Sequence, residues 1–322
     1  MRTYRLLAAL ATPILVLPLL VAASPPPRSQ GLRTLRVNVF SPDPARVAAS
    51  ARGLFAAEGI DVAVTLTPNS TVQMRGLGDG TWDLGATNFD NVLAWSGREG
   101  AEIVAVSQWR AGEYLPIYVR PEIRDWENLR GRRLAVDAVD TAYALVLRRV
   151  LLEHGLDLER GDYELVAVGA TGPRLESMKR GETFAAVLSP PYDVEAEAAG
   201  FRKLTDHREV LPDYPGGVYA VNRAWAQANR DALQAFLRGW LAGARWVTAN
   251  REAALDLLVA EEGIDRDSAT LMVEQRSVDG ALNVPGLSSV LDLRTRFGYT
   301  LPLGTDVTRY YDLSYYRAAL GQ

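Results

Sequence analysis

The stretch LRGRRLAVDAVDTAYALVLRRVLL, residues 129–152, contains a strand that runs directly into a helix. Its apolar part at residues 133–138 is typical of a β-strand, and after a break at residues 139–141 the apolar side chains recur at helical spacing. Asp140 or Thr141 can cap that helix, because either side chain can accept a hydrogen bond from a free amide of the first turn. Ligands often bind at such a junction, although an ordinary βα unit with a good cap shows the same pattern.

This arrangement occurs in both halves of the chain. The segments GLFAAEGIDVAV and VLLEHGLDLERGDYELVAV match each other, as do LGDGTWDLGATN and MKRGETFAAVLSP. Strands that alternate with helices predict an α/β fold with two doubly wound, mostly parallel sheets, one in each of two lobes. We expect strands at residues 35–40, 60–66, 82–86, 103–107, 133–138, 163–168 and 183–188.

Two further apolar stretches are predicted to cross between the lobes as a two-strand hinge. They are LPIYVR at residues 115–120 and VYAVN at residues 218–222, the second preceded by Gly216 and Gly217. Paired glycines give a hinge backbone freedom, although a plain turn explains them equally well. The predicted first lobe comprises residues 34–114 and 219–322, and the predicted second lobe comprises residues 115–218.

The N-terminus has the composition of an export signal. Arg2 and Arg5 precede an apolar run that ends in small residues, so residues 1–23 are predicted to be a secretory signal peptide. Residues 24–33 are expected to be a disordered leader. An uncleaved membrane anchor is the alternative, because the apolar run is about long enough to cross a bilayer. Both readings place the globular part in the periplasm or another extracytoplasmic space.

Composition excludes several kinds of site. The chain has a net charge of −4, which disfavours nucleic-acid binding, and it has no cysteine, which excludes disulfides and thiol chemistry. Its two histidines, His154 and His207, are expected to lie at the surface, so no metal site and no cofactor are predicted. The sequence also contains no nucleophile motif, and we predict no catalytic residue.

Polar residues follow the predicted strands in both halves, at residues 41–43, 69–71, 87–90, 139–141, 170–172 and 189–193. Open α/β sheets bind ligands at the carboxyl ends of their strands, and two facing lobes would enclose a cleft there. Asp43, Asp90, Asp140 and Asp193 could converge on that cleft, or each could only cap a helix.

The stretches RPEIRDWENLRGRRLAVDAVDTAYALVLRRVL, VLSPPYDVEAEAAGF and VLPDYPGGVYAVNRAW resemble the solute-binding proteins of ABC importers, in the nitrate, sulfonate, taurine and thiamine-precursor superfamily. The resemblance covers nearly all of residues 34–322. It implies a type II periplasmic binding protein without enzymatic activity that captures a small-molecule solute by hinge closure and delivers it to an ABC permease and its ATPase. We expect the protein to be a monomer.

Family members bind ligand through the loops that follow these strands. By resemblance, and with Trp109 and Tyr192 added as rings that could stack on a flat ligand, the expected ligand-binding residues are Ser41, Asn69, Thr87, Asn88, Asp90, Trp109, Asp140, Thr141, Tyr143, Pro191 and Tyr192. The aspartates would repel an anion, which favours a neutral or cationic ligand that is heterocyclic or aromatic. Arg110 or Arg174 would reverse that preference if either reaches the cleft.

Three alternatives remain open from the sequence. The ligand could be an organic anion such as a sulfonate, or the cleft aspartates could serve a small-molecule lyase or synthase on the same fold. The protein could also be a sensor or scaffold that docks on a membrane partner other than a permease.

Overall fold

Alternating apolar strands and capped helices produce two five-stranded sheets. The computed structural model describes residues 31–190 and 192–322. The predicted signal peptide and the part of the predicted leader up to residue 30 lie outside these residues, as does Pro191. Arg33 was expected to belong to the leader, but it begins the first strand.

The strands follow the predicted order, with one strand more than expected in the second half. They are β1 (Arg33–Val39), β2 (Ile60–Leu66), β3 (Leu84–Thr87), β4 (Ile103–Gln108), β5 (Pro116–Val119), β6 (Arg133–Val136), β7 (Glu164–Ala167), β8 (Ala185–Val187), β9 (Arg202–Asp206) and β10 (Val218–Asn222).

The two sheets have the same pattern. The first has the order β2-β1-β3-β10-β4 and the second has the order β7-β6-β8-β5-β9. Four strands of each sheet are parallel, while β10 and β5 run antiparallel to both of their neighbours. The predicted α/β class with mostly parallel sheets is therefore confirmed.

The helices cover the sheets. They are α1 (Pro44–Ala51), α2 (Leu54–Ala57), α3 (Ser70–Asp79), α4 (Phe89–Trp95), α5 (Ala142–Glu153), α6 (Thr171–Lys179), α7 (Tyr192–Ala198), α8 (Arg223–Ala228), α9 (Arg230–Ala249), α10 (Arg251–Glu262), α11 (Arg266–Gln275), α12 (Val284–Arg296) and α13 (Ser314–Ala319). In the described part of the chain, none of them is both long enough and apolar enough to span a bilayer.

The buried apolar side chains explain this packing. On α9, Phe236, Leu237, Trp240 and Ala244 form a stripe at helical spacing that packs against the first sheet, so the prediction of Trp240 as a core residue is confirmed. One larger cluster contains side chains from both sheets and from α3, α4, α5 and α12. Residues Leu32–Gln322 accordingly pack as one compact unit, and their division into lobes at residues 114 and 218 stays a prediction.

The two stretches that were expected to cross between the lobes are instead interior strands, β5 and β10. Their apolar character reflects burial on both faces of a sheet. The connections between the sheets lie immediately before them. Trp109 and Gly217 join the two connections, because the Trp109 amide donates to the Gly217 carbonyl at 3.0 Å.

Candidate functional site

A cavity of about 890 Å³ lies where the strands of both sheets end. Its walls come from the segments that follow β1, β2, β3, β6, β7 and β8, and from the connection that follows β4. Because the strands of each half run parallel, these segments meet at one edge of each sheet. The volume is that of a small-molecule pocket.

All but two of the residues predicted to bind ligand line this cavity. They are Ser41, Asn69, Thr87, Asn88, Trp109, Asp140, Thr141, Tyr143 and Tyr192. Pro191 is outside the described residues, and Asp90 lies elsewhere. Contact of these residues with a ligand remains a prediction.

The expectation that Asp90 faces the cleft is corrected by the structure. Its carboxylate is 1% exposed and accepts both hydrogen bonds from Nη1 of Arg294, at 3.0 Å to Oδ1 and 2.9 Å to Oδ2. Burial raises the pKa of Asp90 to about 6, against the opposing effect of Arg294, so the carboxylate is charged at neutral pH. Asp90 is therefore the counter-ion of an arginine beneath the cavity wall.

Asp43 and Asp193 are not among the residues that line the cavity either. The Asp43 carboxylate caps α1 and accepts hydrogen bonds from Tyr219 Oη at 2.7 Å and from Trp240 Nε1 at 2.5 Å. Burial raises the pKa of both Asp43 and Asp193. Among the four predicted cleft aspartates, only Asp140 lines the cavity.

Arg174 is a buried cation in the cavity wall. It is 1% exposed, and its guanidinium donates to Thr171 Oγ1 at 2.8 Å and to the Gly169 carbonyl at 3.3 Å. The carboxylate of Asp137 is 3.6 Å away, and Nε has no partner among the described residues. Burial lowers the pKa of Arg174, but a guanidinium still stays charged. A buried cation in the cavity wall favours a ligand that carries an anionic group.

Arg110 also lines the cavity, but its charge is already compensated. Nη1 donates to Glu113 Oε2 at 3.1 Å and Nη2 donates to Ser41 Oγ at 3.2 Å. The guanidinium carbon lies 4.4 Å from the centroid of the Trp109 ring. Burial raises the pKa of Glu113 and Arg110 opposes that rise. This group of side chains therefore forms a nearly neutral, stacked wall.

Two tyrosines give the cavity wall further aromatic character. Tyr143 Oη lies 3.2 Å from Ser189 Oγ, and burial raises the pKa of this phenol. The Tyr192 ring lies against Gly172, where an added Cβ would be 3.0 Å from the ring. Gly172 thus leaves room for the ring, and both rings can contact a flat ligand.

The helices that point at the cavity are capped in different ways. Asn69 caps α3 by accepting from the Val72 amide at 2.9 Å, and Thr141, not Asp140, is the N-cap of α5. Thr171 is the first helical residue of α6, and Ala170 at the N-cap makes no side-chain hydrogen bond. The first amides of α6 therefore lie near Arg174 and have no side-chain cap. These amides and the guanidinium all favour a hydrogen-bond acceptor on the ligand.

Sequence reasoning missed one wall altogether. Ile264, Leu271, Met272 and Gln275, on α11 and just before it, line the cavity from the C-terminal part of the chain. An amphipathic helix with buried apolar residues gives no local sign that its edge faces a ligand. Arg174 could have been weighted more strongly, because it lies three residues after Thr171 at a predicted strand–helix break.

The described residues contain no group of three or more His, Asp or Glu side chains that could hold a metal ion. His154 and His207 are not part of the cavity wall. His154 is partly exposed and stacks on Trp126. His207 was also expected at the surface, but it is buried. His207 packs edge-on against Tyr214, which explains its burial.

The model of the NMT1/THI5-like family matches residues 45–254, nearly two thirds of the chain. The chain belongs to the NMT1/THI5-like family. The matched range begins in α1 and ends in α10, so it includes both sheets except β1. A comparison with curated proteins finds no match.

Solved structures share the fold of this NMT1/THI5-like chain at low sequence identity. The periplasmic nitrate-binding protein NrtA from Synechocystis PCC 6803 is 14% identical, with a TM-score of 0.75, covering 90% of this chain and 89% of that one. The alkanesulfonate-binding protein SsuA from Xanthomonas axonopodis pv. citri, bound to MOPS, is 17% identical, with a TM-score of 0.68 and coverages of 89% and 97%. A DszB variant in complex with biphenyl-2-sulfinic acid is 16% identical, with a TM-score of 0.64 and coverages of 90% and 99%. These likenesses establish a periplasmic binding protein fold.

Proposed function

We propose that this protein is the extracytoplasmic solute-binding component of an ABC importer. The observation that carries the proposal is the cavity of about 890 Å³ at the strand ends of both sheets, in a chain of the NMT1/THI5-like family. The nitrate-binding and alkanesulfonate-binding proteins with the same fold support it. The solute is delivered to a permease and its ATPase, and the protein acts as a monomer in the periplasm.

The proposed solute is a small, flat organic anion. The case for a neutral or cationic ligand depended on cleft aspartates; Asp90 and Asp193 do not line the cavity, whereas Asp140 and Asp137 do. Both Arg110 and Arg174 do line it, and Arg174, unlike Arg110, has no carboxylate within hydrogen-bond distance, since that of Asp137 is 3.6 Å away. The anionic group faces Arg174 and the first turn of α6, while the flat body lies among Tyr143, Tyr192 and the wall around Trp109.

Capture is proposed to occur by closure of the two lobes, residues 34–114 with 219–322 and residues 115–218. The connections before β5 and β10 are the segments that must bend. Ligand stabilises the closed arrangement by its higher affinity for that arrangement, because its partners come from both sheets.

We propose binding without turnover. Ser41 Oγ accepts from Arg110, and Ser189 Oγ is within hydrogen-bond distance of Tyr143 Oη. Neither serine has a histidine beside it in the cavity wall, so activation of a nucleophile has no support. A ligand recovered chemically unchanged after long incubation supports this, and release of a product contradicts it.

Three molecules with one ring and different charges test the proposal: benzenesulfonate, benzamide and benzamidine. Isothermal titration calorimetry with purified protein is expected to give saturable binding of benzenesulfonate, weaker binding of benzamide and the weakest binding of benzamidine. Preference for benzamidine contradicts the proposed anion. A broad metabolite panel without any saturable thermal shift contradicts solute binding itself.

A further inference from the structure

Arg294, on α12, links residues that follow strands of different sheets. Its Nη1 donates to both carboxylate oxygens of Asp90, which lies just after β3, and to the main-chain carbonyl of Asp140, which follows β6, at 2.9 Å. Arg294 is 0% exposed, and Nε and Nη2 have no partner among the described residues. The only carboxylate that neutralises it in the described ion pairs is that of Asp90.

A second side chain holds the neighbouring carbonyl. Tyr299 Oη, just beyond the end of α12, donates to the Val139 carbonyl at 2.8 Å and accepts from Arg148 Nη1 at 3.2 Å. Two consecutive main-chain carbonyls, of Val139 and Asp140, are therefore fixed by side chains from the C-terminal part of the chain. The helix itself packs against both α4 and α5.

The segment held in this way is part of the cavity wall. Asp137, Ala138, Asp140 and Thr141 all line the cavity. The Asp137 carboxylate accepts from Thr141 Oγ1 at 2.5 Å and lies 3.6 Å from Arg174. A shift of this segment would move a negative charge relative to the proposed anion-binding arginine, and so would change the affinity of the site.

We infer that Arg294 is a positioning residue for the ligand site: it fixes the cavity-wall segment of residues 137–141 through the Asp140 carbonyl, with Asp90 as its counter-ion. The effect on ligand rests on the proposed function, whereas the effect on the segment does not. Neither Arg294 nor Asp90 is among the lining residues, so this buried ion pair lies behind the cavity wall.

The test separates positioning from simple stability. Single variants D90N and R294M each leave a buried charged or polar group without its partner, and both are expected to lose stability. The double variant D90L/R294M removes the charges together and is expected to regain most of the lost stability. Y299F is a milder variant that loses the bond to the Val139 carbonyl and the bond from Arg148 Nη1.

Hydrogen–deuterium exchange of the ligand-free protein measures the protection of the segment directly. In D90L/R294M, the peptide with residues 137–144 is expected to exchange about tenfold faster than in the wild type, since a hydrogen bond from a charged donor is lost. Y299F should show a smaller increase. The matched segment of residues 67–72, on the other side of the cavity, should be unchanged. Equal protection of residues 137–144 in the wild type and the double variant overturns the inference.

Calorimetry with benzenesulfonate adds a second readout. The double variant is expected to bind this probe about tenfold more weakly, at a melting temperature close to that of the wild type. If wild-type protein does not bind benzenesulfonate, the proposed ligand class fails, and the exchange experiment still decides the positioning role. Unchanged affinity together with faster exchange shows that the segment moves without serving the ligand, and it overturns the role in binding.

Discussion

The guanidinium carbon of Arg174 lies 5.0 Å from the ring centroid of Tyr143, in the wall of the cavity. This cation–π contact joins the two kinds of group that the proposed ligand needs, a charge and a flat apolar surface. Both residues follow breaks between strands and helices in the second half of the chain, at β7–α6 and β6–α5. The contact therefore connects the segments that follow two neighbouring strands of one sheet.

Replacement of Arg174 by Met is expected to weaken benzenesulfonate binding by about 10- to 100-fold, because a charge-assisted hydrogen bond is lost. The melting temperature should fall modestly, since Met fills similar space but leaves Thr171 Oγ1 and the Gly169 carbonyl without their donor. R180M, on the exposed end of the same helix, is the control. Equal affinity of R174M and wild type in calorimetry would show that the anion does not meet Arg174.

Replacement of Tyr192 by Ala should weaken ligand binding while the melting temperature of the ligand-free protein stays nearly unchanged. The ring is half-buried and contacts Gly172, so its main loss is the surface offered to a flat ligand. Y192F keeps the ring and should retain affinity. A large drop in the melting temperature of ligand-free Y192A would identify Tyr192 as a packing residue of the neighbouring apolar cluster.

Gly217 has no space for a side chain. An added Cβ would lie 2.5 Å from the Trp109 ring, so G217A is expected to cost about 1–3 kcal/mol of unfolding free energy through displacement of that ring. Urea denaturation monitored by tryptophan fluorescence measures the loss of unfolding free energy and reports the displacement of the Trp109 ring. Gly112 in the facing connection is the matched control, because a Cβ there meets nothing within 4 Å. Equal stability of G217A and G112A would contradict the prediction, because it would show that the Trp109 ring moves aside without loss of unfolding free energy.

His207 should make stability dependent on pH. Burial lowers its pKa to about 4, whereas the unfolded chain protonates the same imidazole near its ordinary value of 6.5. Between these values the unfolded state binds more protons, so stability contributed by His207 is lost as the pH falls from 6.5 to 4, up to about 3 kcal/mol. H207Q should flatten this part of the stability profile. H154Q, at the partly exposed second histidine, is the control, and an equally steep profile for H207Q would refute the assignment.

The sequence predicts what local patterns determine. Strand ends and helix caps are local, and so the β6–α5 junction, Asn69 and Thr141 were found at their observed positions. The antiparallel placement of β5 and β10 depends on pairing with strands far away in the sequence, and apolar runs of this kind give no strand direction. The prediction for Asp90 was wrong because no local pattern reveals its partner, Arg294, which is 204 residues away in the sequence. The burial of His207 was missed for the same reason.

Native mass spectrometry of the protein exported by its own host tests the central claim most directly, with R174M prepared in the same way. The account predicts a bound small organic molecule on the wild-type protein, detected as an anion after release, and its loss or strong reduction on R174M. A cationic or neutral molecule retained equally by both proteins would contradict it.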